Sequence, residues 1–129
     1  MLLPIAFYYV NCLQNLNILT TILISAKIVY NKRKHASDSN IKWAKHCLER
    51  IQERDISIKD VECCLQTGEI IEDYPDDFPH PSCLIFGYTK ENKALHIVVG
   101  SNGDTIFFIT AYYPNTDKFE TDLKTRKGQ

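Results

Sequence analysis

The feature that most constrains this chain is a change of period at Gly68. Before it, apolar side chains recur at helical spacing. After it, they alternate or run together in short blocks rich in β-branched and aromatic residues. Trp43, Ala44, Cys47, Leu48 and Ile51 form one stripe of a helix that the polar break "SDSN" (Ser37 to Asn40) would start and that runs to about Arg54. Ile58, Val61, Cys64 and Leu65 form a second stripe. It is introduced by Ser57 with Asp60 three residues on, a capping-box pattern, and is stopped by Gly68. "EIIEDY", "CLIFGYT", "ALHIVVG" and "TIFFITAYY" then read as strands. The proline-rich loop "PDDFPHPS" and the turns "KENK" and "SNGD" separate them. The expectation is an α+β domain, two helices followed by a four-stranded antiparallel sheet. A polar tail, "PNTDKFETDLKTRKGQ", ends basic.

The first 33 residues are of a different kind. They carry no charged side chain before Lys27. Asn11, Gln14, Asn15 and Asn17 divide the apolar run into two pieces, short of the roughly 20 continuous apolar residues of a membrane span. Neither the basic start nor the small-residue cleavage site of a secretory signal is clear. Residues 1–33 are therefore expected to be a helix packed on the domain, a loosely attached leader, or translation from an upstream start, and residues 34–129 a single domain. A membrane-attached small domain, which depends wholly on this leader, is the third and least favoured expectation.

Fifteen basic against sixteen acidic residues give a net charge of −1, so no whole-chain field attracts nucleic acid, and any such binding needs a local patch. "NKRKH" and "KTRK" are basic and "EIIEDYPDD" is acidic. Five cysteines, an odd number without a CxxC pair, point away from a disulfide framework and toward a reducing cytoplasm. The "HPSC" segment offers two metal-ligand types with no second pair at useful spacing, and no phosphate-binding glycine loop or nucleophile elbow occurs. No metal or cofactor is expected.

Two groups of polar residues stand out. His46, Arg50 and Arg54 recur every four residues. The first two lie beside the helical stripe and Arg54 at its edge, where a partly covered guanidinium needs a partner. His96 lies on the strand face opposite Leu95, Ile97 and Val99. With a two-residue Asn102-Gly103 turn it shares a face with Phe107, Ile109 and Ala111. With a three-residue loop it joins Thr110 and Tyr112 in a polar row, the arrangement slightly preferred.

The run "HCLERIQERDISIKDVECCLQTGEIIEDYPDDFPHPSCLIFGY", with "ALHIVVG" and "ITAYYP" after it, resembles the bacterial domain-of-unknown-function 4258 family from His46 to about Arg126. The carrying pattern is His-x3-Arg-x3-Arg, a G-E-x-I strand start, a strand histidine and a T-x-Y-x-P ending. The resemblance implies a small α+β domain acting as the toxin-like component of a bacterial toxin–antitoxin pair, with an antitoxin protein as partner. It also implies a similarity in outline to RelE-like and MqsR-like ribonucleases, a likeness of fold that does not by itself give an activity.

Metal-independent RNA cleavage needs a base for the 2′-hydroxyl, an acid for the leaving oxygen and cations for the phosphorane. His46 or His96 can serve as base or acid, Arg50 and Arg54 as a bidentate phosphate grip, and Tyr112 as an orienting or stacking group. Thr110, Lys118, Lys124 and Arg126 are the candidate substrate contacts, with Lys127 beside them. The competing expectation is a non-catalytic protein- or RNA-binding module. In it the helix charges pair on the surface, His96 is an ordinary sheet histidine, and Pro114 merely ends a strand.

Overall fold

The computed structural model describes residues 41–102 and 105–128. The apolar leader, the "SDSN" break and Gly103 of the expected turn lie outside the described residues. The elements run β1 (Ile41–Trp43), α1 (Lys45–Glu53), α2 (Ile58–Thr67), β2 (Glu69–Tyr74), β3 (Ser82–Tyr88), β4 (Ala94–Ser101) and β5 (Ile106–Tyr112). They build one sheet of order β1-β5-β4-β3-β2, antiparallel except that β1 runs parallel to β5.

The α+β class holds, but the expected four-stranded antiparallel sheet becomes five-stranded and mixed, and a strand precedes the helices. The expected first helix ran through Trp43; instead Ile41 and Trp43 alternate with exposed Lys42 as a strand. Trp43 fits either period, and stacking on Phe108 at 4.4 Å between ring centroids holds it in the extended one. A parallel partner more than sixty residues away leaves no hairpin signal in the sequence. Ala44, extended and with no side-chain cap, begins α1.

The capping box at Ser57 is formed in full. The Ser57 hydroxyl accepts from the Asp60 N–H, and the Asp60 carboxylate accepts from the Ser57 N–H, each at 3.0 Å. α1 buries Cys47 and Ile51, and α2 buries Val61, Cys64 and Leu65, against Ile85, Leu95, Ile97, Val99 and Phe108 on one face of the sheet. Leu48 and Ile58, expected on the buried stripes, are exposed. The seat of α2 depends on glycines. A Cβ at Gly87 would lie 2.3 Å from the Cys64 carbonyl oxygen, backbone that cannot yield. Gly87→Ala is therefore expected to cost about 1–3 kcal/mol, as overpacking does, and chemical denaturation checks it. An unchanged midpoint would contradict this close approach.

The opposite face of the sheet is covered by the chain's own end. After Pro114, residues 115–128 fold back as a strap closed by a bridge between Phe119 and Arg126. Phe119 is 1% exposed and meets the His96 ring edge-on at 4.7 Å. Lys124 pairs with Glu69 and lies over the Phe86 ring, and Arg126 takes both oxygens of Glu72 at 2.9 Å. The tail expected from sequence as a polar, basic end is a packed third layer.

Candidate functional site

The site begins with an irregularity in β5. Near the hairpin end, Val99 pairs with Phe108 and Ser101 with Ile106; further along, Val98 pairs with Thr110 and His96 with Tyr112. Ile109 is thus an extra residue, a bulge that reverses the alternation. Without it, His96 would face Ala111. With it, His96, Thr110 and Tyr112 share the strap-covered face. The polar row was the expected one, but the bulge creates it, where the sequence pointed to the turn.

His96 is fully buried. Its Nε2 lies 2.7 Å from the Leu123 carbonyl oxygen and its Nδ1 3.3 Å from the Tyr112 hydroxyl, between the rings of Phe86 and Phe119. A carbonyl oxygen only accepts, so Nε2 carries the proton in this arrangement. Burial lowers the His96 pKa below the ordinary value of 6.5, with the Leu123 carbonyl opposing in part. The unfolded chain therefore takes up this proton before the folded one does. Stability is expected to be level above pH 6.5 and to decline as pH falls below it. The Arg126 hydrogen bonds lower the Glu72 pKa, so its contribution is lost only under more acidic conditions, as pH falls through the carboxylate range. Urea unfolding from about pH 8 down to about pH 5 separates the two; a gain in stability across that window would contradict the buried neutral imidazole.

Arg54 enters from the other side. β1 reaches only to Phe108, whose carbonyl accepts from Ala44 N–H at 3.0 Å. Beyond it, Arg54, the C-cap residue of α1, takes the place of a strand donor, its Nη1 donating to the Ala111 carbonyl at 2.7 Å. Among the described residues no carboxylate forms an ion pair with it. Arg54, Tyr112, Asn115, Lys118, Phe119 and Arg126, with Tyr113 and Pro114, line an open cleft of about 620 Å³. Burial raises the Tyr112 pKa, so its phenol stays protonated at neutral pH.

The structure thus brings together Arg54, Tyr112, Lys118 and Arg126 in one cleft, with His96 behind Tyr112 and Thr110 on the same face. It does not bring in His46 or Arg50. His46, with 87% of its side chain exposed, lies 3.6 Å from Glu49, and Arg50 pairs with Glu53 at 2.9 Å. Neither lines the cleft. Lys124 and Arg126 are committed to Glu69 and Glu72. His80 stacks on Phe107 while Cys83 is buried in the core, its thiol pushed up to about 12 by burial. Among the described residues no three His, Cys, Asp or Glu side chains gather as metal ligands. None of their helices is long and apolar enough to cross a membrane. Sequence reasoning missed Asn115 and Phe119 as cleft residues. A lone phenylalanine in a polar tail was the available signal.

The family model described as "Domain of unknown function (DUF4258)" matches residues 43–113, more than half of the chain. The chain belongs to the DUF4258 family. No curated protein and no solved structure matches it. The matched DUF4258 span runs from the end of β1 through β5 and stops before the strap. The resemblance read from sequence continued to Arg126. The cleft straddles that boundary: Arg54, Tyr112 and Tyr113 come from the DUF4258 span, and Lys118, Phe119 and Arg126 from the strap beyond it.

Proposed function

We propose that this chain is the toxin-like component of a toxin–antitoxin pair and acts as a metal-independent endoribonuclease at the Arg54–Tyr112–Lys118 cleft. The observation that carries the reading is Arg54. Its guanidinium is held by a backbone carbonyl, is paired with no described carboxylate, and lines a cleft with a second cation and a tyrosine. A guanidinium presents five donors, and Ala111 occupies one of its nitrogens. The remainder suit the non-bridging oxygens of a phosphodiester, whose charge grows as the 2′-oxygen attacks phosphorus. The 2′-hydroxyl gives up its proton to solvent water in the open cleft as it attacks. As the bond to the 5′-oxygen breaks, that oxygen takes a proton, for which Lys118 is the candidate in the lining. The products of such a step are a 2′,3′-cyclic phosphate and a 5′-hydroxyl.

One observation favours a second reading, a non-catalytic RNA-binding module. The histidine behind the cleft, His96, is buried with both nitrogens occupied, so among the described residues no imidazole faces a ligand there. Inducible expression of the full chain in a bacterium, followed by growth and bulk RNA integrity, separates the two. The ribonuclease reading expects arrest and RNA decay, both lost in Arg54→Ala. Normal growth with intact RNA, from folded protein, would remove it in favour of the binding module.

A further inference from the structure

The hydrogen-bonding character of the cleft is lopsided. Arg54, Lys118 and Arg126 can only donate. The Asn115 side-chain oxygen already accepts from the Asp117 N–H at 3.0 Å, which leaves its amide N–H groups. Donors suit phosphate oxygens, and phosphate is common to RNA and DNA. Tyr112 is different because of what stands behind it. The Leu123 carbonyl fixes the proton of His96 on Nε2, so the neutral ring turns the lone pair of Nδ1 toward Tyr112, 3.3 Å away. The Tyr112 hydroxyl has one proton and gives it to that lone pair. What its oxygen has left to offer is a pair of acceptor sites.

We propose that His96 is a positioning residue that holds Tyr112 as a hydrogen-bond acceptor, and that Tyr112 thereby selects a ribose 2′-hydroxyl, making the cleft prefer ribo- over deoxyribo-oligonucleotides. The inference rests on the reading of the cleft as RNA-directed. It does not depend on cleavage, since it concerns binding. The 2′-hydroxyl is the group by which a protein tells RNA from DNA at one position. A polar group placed to meet a ligand hydroxyl is left unpaired by the analogue that lacks it. The arrangement is built from three separate parts of the chain. β4 supplies His96, β5 supplies Tyr112 through the Ile109 bulge, and the strap supplies the Leu123 carbonyl. The strap therefore does more than cover the sheet: its backbone sets the tautomer that sets the direction of the tyrosine proton.

The test is a fluorescence-anisotropy titration of the full chain with a single-stranded ribo-oligonucleotide and its deoxyribo counterpart. Both carry uracil, so that only the 2′-hydroxyl differs. The same titrations are run on Tyr112→Phe and His96→Gln. Glutamine keeps a donor for the Leu123 carbonyl but places no ring acceptor against Tyr112. The wild type is expected to prefer the ribo-oligonucleotide by about tenfold, the effect of one hydrogen bond. That ratio should fall toward one in both variants, whereas a purely structural change would weaken both ligands alike. ¹⁵N NMR of the wild-type imidazole should show the Nε2–H tautomer. It decides the positioning step even if a variant fails to fold. Equal wild-type binding of the two oligonucleotides, a ratio kept in Tyr112→Phe, or an Nδ1–H tautomer would overturn the inference. Equal binding that is lost in Arg54→Ala would overturn it while leaving the RNA-directed reading in place. Binding of neither would overturn both.

Discussion

Phe119→Ala is expected to destabilise the protein by about 3–5 kcal/mol, the range for emptying a buried phenylalanine site. Phe119 is the fully buried apolar side chain by which the strap is inserted, and it is 1% exposed. Its ring abuts His96 at 4.7 Å, and the Arg126 guanidinium lies over it at 4.8 Å. Removing the ring opens space beside a buried imidazole and removes the surface on which Arg126 lies while it pairs with Glu72. The ion pairs cannot compensate, because partly exposed pairs of this kind each contribute about 1 kcal/mol or less. Phe78, 95% exposed in the β2–β3 loop, is the control. Its replacement by alanine should fall within about 0.5 kcal/mol of wild type. Urea denaturation of the three proteins checks both figures. A loss below about 1 kcal/mol for Phe119→Ala would mean that the strap is a surface tail and not a layer of the fold.

The second large effect is chemical. Arg54→Ala is expected to lower RNA cleavage by about 10²–10³-fold, the usual consequence of removing one group that stabilises transition-state charge. The accompanying loss of stability should be only about 1 kcal/mol, since one hydrogen bond to the Ala111 carbonyl at an open sheet edge disappears. Arg50→Ala and His46→Ala should behave differently although all three residues recur at the same spacing. Arg50 and His46 point into solvent and meet glutamates on their own helix, interactions of about 0.5 kcal/mol. Cleavage by these two variants should stay within a few-fold of wild type. The contrast among three residues of one helical row separates a cleft at the end of β5 from an anion site along α1.

Much of this fold is legible in the sequence, for identifiable reasons. The Ser57–Asp60 capping box, the stop at Gly68 and the four strands from Glu69 to Tyr112 follow from local chemistry: hydroxyl capping, backbone access and β-branched alternation. What escapes has a non-local cause. β1 is three residues long and parallel to a partner at the far end of the chain, so no turn announces it, and Trp43 suits a helical stripe equally well. The bulge at Ile109 leaves no mark on composition, yet it decides whether His96 faces Ala111 or Tyr112. The strap hides because it is mostly polar. It is held by one phenylalanine, by Lys124 and Arg126 paired to Glu69 and Glu72, and by the Leu123 carbonyl on His96. Each of those partners lies more than twenty residues from its mate in sequence. For the candidate site, spacing alone grouped His46, Arg50 and Arg54. Only the third lies where a strand edge ends and a cleft opens, a fact of sheet topology that helical period does not contain.

The measurement that tests the account most directly is cleavage of a single-stranded ribo-oligonucleotide by the purified full chain, beside Arg54→Ala and Arg50→Ala, with folding of each confirmed by its unfolding curve. Cleavage is expected from the wild type and from Arg50→Ala, leaving 2′,3′-cyclic phosphate ends, with a loss of about two to three orders of magnitude in Arg54→Ala. Cleavage retained in Arg54→Ala, or lost in Arg50→Ala alone, would place the chemistry outside this cleft. No cleavage by folded wild-type protein would contradict the ribonuclease reading itself.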